Sequence, residues 1–274
     1  MKGERVKAVA VNGVLVLAAL LTVAPLLWML SASFMRAGEA SSFPPPLLPD
    51  EPTLDHYRAL LATGGIGRQF LNSLGLALAA TLLSTTFNTL AGYAFAKLHF
   101  AGRDKLFALL IAALVIPGQV AMLPLFLMLK SMGLVNSYAG VLVPSLAGIF
   151  GIFLVRQYAR SIPDELLEAA RMDGAGEFRI FFSVVLPLLT PVLATLAVFA
   201  FLGSWNDFMW PLIVLTDGAL HTLPVALASL SREHVQDSEL MMAGAVITVL
   251  PVLALFLLLQ RYYLQGLTMG GVKQ

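Results

Sequence analysis

The chain has 274 residues, of which 58% are hydrophobic and only 12% are charged. The charged fraction is about half the roughly 25% typical of soluble domains. The net charge of +1 does not favour nucleic-acid binding, which requires a basic patch or stripe. Cysteine is absent, which excludes disulfide frameworks and thiolate metal sites. The composition therefore predicts an integral membrane protein.

The chain contains six apolar runs, each long enough to cross a bilayer as a helix, which takes about 20 residues. The runs do not alternate polar and apolar residues as barrel strands would. The predicted fold is therefore all-α, an integral membrane protein with six transmembrane helices. We place these helices near 9–31, 70–95, 106–129, 138–156, 188–214 and 240–260. The first run exceeds the roughly 7–15 apolar residues of a secretory signal, which favours a retained anchor.

The lysines and arginines indicate the orientation of the helices. With the N-terminus inside the cell, twelve of the 17 basic residues lie in inner segments and five in outer segments. The positive-inside rule then places both termini in the cytoplasm. We predict an anchor helix with an external linker over 1–69, a helical body over 70–262 and a cytoplasmic tail over 263–274. The body includes a cytoplasmic loop at 157–187 and an external loop at 216–238.

The cytoplasmic loop contains the stretch ELLEAARMDGAGEFRIFFSVVLP, residues 165–187, which is charged although apolar runs flank it. Its residues predict two short helices separated by a hinge. Ser161 is the predicted N-cap of the first helix, because a serine oxygen accepts hydrogen bonds from the N–H groups of the first turn. Gly174 and Gly176 are predicted to end this helix in the left-handed conformation that glycine adopts without strain.

Two interpretations of this first helix are open on the residues alone. The helix is either an amphipathic connector that lies on the membrane surface, or a docking element for a partner protein. Docking is favoured by the small residues Ala169, Ala170 and Gly174, which allow the surface of a partner to approach closely.

Polar residues inside the apolar runs are few, and the bilayer makes each of them costly unless it is paired or faces a cavity. Trp205, Asn206 and Asp207 interrupt the fifth run. An aromatic ring beside hydrogen-bonding side chains suits a sugar, so these residues are candidates for a substrate path. The alternative is that Trp205 is an interfacial anchor and that Asp207 is satisfied within the protein. Asn72, Asn88 and Gln119 are weaker candidates, with hydrogen bonding between helices as the alternative.

The sequence lacks the common motifs of catalysis and of cofactor binding. It has no G-x-x-x-x-G-K-[ST] loop for nucleotide phosphates, no H-E-x-x-H and no G-x-S-x-G. The four histidines are scattered without metal-ligand spacing. We therefore predict that this chain has no catalytic residue and binds no metal or cofactor. Any ATP must be bound by another polypeptide.

Several motifs together resemble those of ABC importer permeases. The pattern EAA-x3-G-x9-V-x-L-P over residues 168–187 resembles the EAA loop of this family, with Val184 where isoleucine is more frequent. The carbohydrate-uptake branch is resembled by AGYAFAKLHFAGR (91–103), IPGQVAMLPLF (116–126), GLVNSYAGVLVP (133–144) and FLGSWNDFMWPLIVL (201–215). The end QRYYLQGLTMGGVKQ (260–274) resembles the maltose-type second permease.

The resemblance implies the ABC transmembrane type-1 importer permease fold and a role in ATP-driven uptake of a sugar or oligosaccharide. It implies a second, related permease, two copies of a cytoplasmic ABC ATPase and an external solute-binding protein. The implied coupling residues are Glu168, Ala169, Ala170, Asp173 and Gly174. Among them, Glu168 would form a salt bridge to a basic groove of the ATPase. Glycerol phosphate or another polyol is the alternative substrate, and a self-sufficient secondary transporter is the alternative class.

Overall fold

The computed structural model describes residues 2–62, 65–233 and 237–271, with the side chains of 10–62, 65–231 and 237–258. Regular structure in these ranges is helical. The α-helices are α1 (Lys2–Ala32), α2 (Asp55–Ala62), α3 (Ile66–Lys97), α4 (Arg103–Ala112), α5 (Gly118–Ser131), α6 (Tyr138–Leu142), α7 (Ile149–Arg160), α8 (Asp164–Met172), α9 (Glu177–Ile180), α10 (Leu186–Leu188), α11 (Thr190–Trp205), α12 (Met209–Val214), α13 (Leu223–Glu233) and α14 (Ser238–Gly271). Of the predicted external loop and tail, residues 234–236 and 272–274 lie outside the described residues.

The helices confirm the predicted all-α membrane fold. Within the described ranges, three helical segments are long and apolar enough to span a membrane alone, namely Ala10–Ala32, Ile66–Lys97 and Ser238–Leu258. Three bent helix pairs raise the number to six if each pair forms one span. The bends are 107° between Arg103–Val115 and Gly118–Ser131, 41° between Tyr138–Ser145 and Ile149–Arg160, and 78° between Glu177–Leu188 and Thr190–Trp205.

The third predicted span, 106–129, is wrong as a single straight helix. A short 3₁₀ segment, Ala113–Val115, follows α4, and Ile116 then adopts an extended conformation with φ −81° and ψ 118°. Pro117 precedes α5. A proline disfavours the helical conformation of the residue before it, which gives a local physical reason for the break. The apolar composition continues across this point, so hydropathy alone does not reveal it.

The fifth predicted span, 188–214, is also divided. Helix α11 ends at Trp205, and α12 begins at Met209 after a non-helical segment. One carboxylate oxygen of Asp207 accepts a hydrogen bond from the N–H of Trp210 at 3.3 Å, in the first turn of α12. The polar interruption of this run therefore marks the boundary between two helices.

The chain divides into two compact units. One consists of Met1–Gly67 and Ala226–Pro251, and the other of Arg68–Val225 and Val252–Gln274. In the first unit, Ala32, Met35 and Ala40 are buried together. Glu239 is also buried in that unit and accepts a hydrogen bond from the N–H of Ala40 at 2.7 Å.

Two buried apolar clusters lie among the described residues of the second unit. The first brings together residues from α3, α7, α8, the segment 177–189 and α11: Tyr93, Val155, Ala159, Ile162, Leu167, Ile180, Phe181, Val185, Leu189, Val192 and Leu196. The second consists of Leu76, Leu129, Val141, Trp210, Val214 and Leu215. Glycine allows close helix contacts in this unit, since a Cβ atom on Gly92 would lie 2.6 Å from a Val155 carbon. The first cluster joins the surface loop to the helices of the body.

Candidate functional site

The surface loop is the predicted cytoplasmic loop 157–187, and its first helix begins directly after a proline. Helix α8 starts at Asp164, and its N-cap, Pro163, provides no side-chain hydrogen bond. The prediction that Ser161 caps this helix is wrong. Ser161 has a helical conformation at the C-terminus of α7, and its hydroxyl donates to the carbonyl oxygen of Tyr158 at 2.7 Å. A serine that still belongs to the preceding helix has no free N–H of α8 within reach.

A left-handed glycine ends α8. Gly174 has φ +80°, which confirms the predicted conformation. The N–H of Gly174 donates to the Arg171 carbonyl, and the N–H of Ala175 donates to the Ala170 carbonyl, both at 3.0 Å. This pair of hydrogen bonds satisfies carbonyls that the end of a helix otherwise leaves without partners. The same prediction for Gly176 is wrong, because this residue is extended, with φ −74° and ψ 161°, at the N-cap of α9.

An ion pair closes the loop across this turn. The guanidinium of Arg171 donates two hydrogen bonds to the carboxylate of Glu177, at 2.7 and 3.2 Å. These hydrogen bonds lower the pKa of Glu177 and raise the pKa of Arg171. The two-point geometry fixes the direction in which the chain leaves the turn.

The inner face of α8 attaches the loop to the second unit. Leu167 is 2% exposed and belongs to the first apolar cluster, against which Ala170 also packs. At the beginning of the helix, the Lys97 ammonium donates to the Asp164 carboxylate at 2.6 Å and to the Ile162 carbonyl at 2.5 Å. The hydrogen bond from Lys97 is the main cause of a lowered pKa of Asp164. The loop is therefore held at both ends by the body of the chain.

The outer face of the loop combines apolar and acidic residues. The apolar side chains of Met172 and Phe178 are 88% and 82% exposed to solvent. Three exposed acidic residues, Glu165, Glu168 and Asp173, form no ion pair with any described residue. Ala169 is also exposed, whereas Ala170 is half-buried. The predicted coupling residues thus share one surface, apart from the inward contact of Ala170.

A second feature is a cavity in the body, whose mostly apolar lining contains a few polar side chains. It has a volume of about 290 Å³, and its lining includes Asp207 together with the hydroxyls of Ser84, Ser145 and Ser204. Asn88 adjoins it, donating to Ser84 at 2.9 Å and accepting from the N–H of Gly148 at 2.9 Å. The three serines come from α3, the 3₁₀ turn 143–145 and α11, so the cavity brings together segments far apart in the chain.

The other predicted path residues lie outside this cavity lining. Trp205 is fully buried, stacked on Phe201 with the ring centroids 5.8 Å apart. Asn206 is exposed and donates to the Leu202 carbonyl of its own helix. Asn72 donates to the carbonyls of Ala219 and His221 at 3.0 Å, which joins α3 to a loop. Gln119 is exposed at the beginning of α5. The serines of the cavity were not singled out from sequence, because serine is common in membrane helices.

These features define a polytopic helical membrane protein. A loop at one surface exposes apolar and acidic side chains, and a cavity lies among the helices. Transport permeases are one class of such proteins. The chain belongs to the family described as "Binding-protein-dependent transport system inner membrane component", whose profile matches residues 88–268. The resemblance to ABC importer permeases found in the sequence is thereby confirmed.

Known relatives and a solved structure agree with this membership. The chain is 40% identical over 262 residues to the arabinooligosaccharides transport system permease protein AraQ of Halalkalibacterium halodurans, covering 93% of this chain and 92% of the relative. It is 33% identical to the melibiose/raffinose/stachyose import permease protein MelC of Bacillus subtilis, covering 100% of both chains. The fold is similar to a chain in the crystal structure of a bacterial ABC transporter involved in the import of the acidic polysaccharide alginate, with a TM-score of 0.84, 23% identity and coverage of 96% and 98%.

Proposed function

We propose that this chain is the transmembrane permease subunit of an ATP-driven, binding-protein-dependent importer of a sugar or oligosaccharide. It forms half of the translocation pathway, and a second, related permease forms the other half. The substrate class is supported by the relatives, whose names refer to arabinooligosaccharides and to melibiose, raffinose and stachyose. The single observation that carries the coupling role is the outer face of α8, where exposed apolar and acidic side chains stand beside each other.

The partner at this face is a cytoplasmic ABC ATPase, present in two copies. The chain itself has no phosphate-binding loop, so ATP is bound by the partner. A groove with an apolar floor and basic rim complements Met172 and the unpaired acids Glu165, Glu168 and Asp173. Arg171 contributes less positive charge to this face, since it is paired with Glu177. Glu168 is the residue that forms a salt bridge in the groove.

The sugar passes the cavity that Asp207 lines. A carboxylate accepts hydrogen bonds from sugar hydroxyls, and serine hydroxyls both donate and accept. Asp207 and Ser204 lie at the end of α11, where the helix is broken, and Ser84 and Ser145 line the same cavity. Irregular backbone within a membrane protein occurs where it is buried in protein or lines a polar cavity. Trp205 supports this site from behind through its packing on Phe201.

The orientation of the chain follows from its charges. We expect both termini in the cytoplasm, because twelve of the 17 basic residues then lie on the inner side. Reporter domains fused after Ser42 and after Gln274 are expected to be active on opposite sides of the membrane. Alkaline phosphatase and green fluorescent protein distinguish the sides, since each is active in one compartment. Finding both fusions on the same side would contradict the six-span topology.

Transport by the reconstituted importer tests the substrate path. Replacing Asp207 by leucine, which removes an acceptor and fills part of the cavity, is expected to lower uptake of radiolabelled oligosaccharide about tenfold, the effect of losing one hydrogen bond to a charged group. Asp207→Asn, which keeps one carbonyl acceptor, is expected to lose less. The measurement uses proteoliposomes containing both permeases, the ATPase and the binding protein.

Asn206→Leu is the matched control, because Asn206 bonds only to its own helix among the described residues and lies outside the cavity lining. Its uptake is expected to stay within twofold of the unmodified importer, on the order of the ±0.5 kcal/mol of an ordinary surface substitution. Equal loss in both variants would contradict the role of Asp207. Proteoliposomes that contain this chain alone are expected to show neither uptake nor ATP hydrolysis, and either activity would contradict the proposed function itself.

A further inference from the structure

A second cavity, of about 480 Å³, is lined mostly by charged residues and lies at the ends of α3 and α7 and the beginning of α4. It is on the predicted cytoplasmic side, at the end of the spanning segment Ile66–Lys97, where lipid headgroups meet water. Its charged lining consists of Lys97, Arg103, Arg156, Arg160, Asp104 and Asp164. We call this feature the basic cleft. Four positive charges and two negative charges leave it with an excess of positive charge.

Both acidic residues of the cleft form ion pairs with basic residues of the cleft. Lys97 is bound to Asp164 at 2.6 Å, and Arg103 is bound to Asp104 at 3.2 Å. Arg156 and Arg160 form no ion pair with any residue in the part of the chain that the structure describes. The excess positive charge of the cleft therefore resides on Arg156 and Arg160.

Arg156 is held in place as a preformed recognition group. Its guanidinium carbon lies 3.8 Å from the centroid of the Phe107 ring, and its Nε–H donates to the Phe95 carbonyl at 3.2 Å. Stacking on an aromatic face and one fixed hydrogen bond restrict the side chain, while its terminal N–H groups have no acceptor among the described residues. An oriented guanidinium binds phosphate through two parallel hydrogen bonds.

The surface beside the cleft is apolar. Helix α4, which begins at the cleft, has no buried residue, and Leu106 and Leu109 are 52% and 69% exposed. Phe100, which packs on Phe95, is 42% exposed. A ligand that fits both surfaces has an anionic head and a hydrocarbon tail. A free phosphate ion would use only the first of them.

We propose that the basic cleft binds the phosphodiester headgroup of an anionic phospholipid, with the acyl chains lying along α4. The excess charge, the fixed guanidinium and the exposed apolar helix point to the same ligand. Basic pockets between membrane helices on the cytoplasmic side are suited to such headgroups. This site is separate from the sugar path and adjoins the base of the coupling loop, to which Arg160 and Asp164 belong, and it does not depend on which substrate is transported.

The test is lipid binding to the purified full-length chain in detergent, measured by native mass spectrometry during titration with phosphatidylglycerol. The double variant Arg156→Gln/Arg160→Gln is expected to raise the apparent Kd about tenfold, the effect of losing charge-assisted hydrogen bonds. Phosphatidylcholine, whose headgroup has no net charge, is expected to bind at least tenfold more weakly to the unmodified chain, for the same electrostatic reason.

Lys105→Gln is the charge-matched control for Arg160→Gln. Both residues are exposed, and Lys105 lies on α4 outside the lining of the basic cleft. Arg160→Gln is expected to weaken phosphatidylglycerol binding and Lys105→Gln to leave it unchanged. Arg156→Lys keeps the charge but loses the planar fork, so it is expected to give an intermediate Kd. Size-exclusion profiles of all variants check that the fold is retained.

Three results would overturn the proposal. An equal change in Lys105→Gln and Arg160→Gln would show only a general effect of charge. Displacement of phosphatidylglycerol by an equal concentration of inorganic phosphate would assign the cleft to the free ion. Loss of the second permease from affinity-purified complexes of Arg156→Gln/Arg160→Gln, with lipid binding unchanged, would assign it to a protein interface.

Discussion

Replacing Gly174 by valine is expected to release the ATPase from the importer. Gly174 has φ +80°, a conformation in which a Cβ atom meets the backbone, and a β-branched residue is especially unfavourable there. The cost is about 2 kcal/mol, a factor of roughly 30 in the population of the native turn. The turn orients α8 and aligns Arg171 with Glu177, so its loss displaces the whole outer face. Copurification of the ATPase with the tagged permease measures the effect.

Gly176→Val provides the matched control two residues away. Gly176 is extended, a conformation that valine favours, and an added Cβ atom on either glycine has no neighbour within 4 Å among the described residues. We therefore expect Gly176→Val to retain the ATPase. In the same assay, Glu168→Lys reverses an exposed charge and is expected to reduce retention about tenfold, because like charges repel where water is partly excluded. Normal retention in both Gly174→Val and Glu168→Lys would reduce the loop to a simple connection.

The number and nature of the membrane spans could be predicted from the sequence, because hydropathy depends on composition averaged over about 20 residues. The breaks could not. The bends after Val115 and Leu188 lie inside apolar sequence, where the average does not change. Pro117 was visible in the sequence, but a proline in a membrane helix is compatible with either a kink or a break. Only the packing of the surrounding helices decides between them.

The C-terminal end of α8 could be predicted from the sequence, whereas its N-terminal end could not. Gly174 requires only local stereochemistry, and EAA-x3-G placed it after the helix. Ser161 and Pro163 compete for the same boundary, and α7 continues through Arg160, so the serine belongs to the earlier helix. A capping rule that considers one helix at a time does not include this competition.

The cavity and the basic cleft depend on tertiary structure. Asp207 was found because a charged residue in a membrane span is conspicuous. Ser84 and Ser145, which line the same cavity, are separated from it by 123 and 62 positions of sequence and carry no signal of their own. In the same way, Arg103 and Arg156 become neighbours only when α4 packs beside α7. Residue type identified single candidates, whereas the sites arise from helix packing.

A single methyl group at Gly140 is expected to prevent the body from folding correctly. A Cβ atom on this residue would lie 2.3 Å from the carbonyl oxygen of Leu134 and 3.0 Å from a Val214 methyl carbon. The oxygen belongs to the backbone of a turn that Ser137 holds through a 2.7 Å hydrogen bond to the same carbonyl, so it has little freedom to move. The Gly140 carbonyl also accepts the indole N–H of Trp210 at 3.2 Å. The substitution therefore disturbs α6, the turn before it and the second apolar cluster together.

We expect Gly140→Ala to lower the free energy of unfolding by about 3 kcal/mol, the upper part of the range for overpacking a buried site. The measurements are the abundance of the tagged chain in membranes and its unfolding midpoint in detergent, followed by fluorescence-detected size exclusion. Gly75→Ala is the control, since Gly75 lies inside α3 and an added Cβ atom there has no neighbour within 4 Å in the described part of the chain. Alanine there is expected to leave stability unchanged or raise it by about 0.5–1 kcal/mol, because alanine loses less backbone conformational entropy than glycine when a helix forms. If Gly140→Ala accumulates and unfolds like Gly75→Ala, the close approach of α6 to the turn at Leu134 does not exist in the membrane.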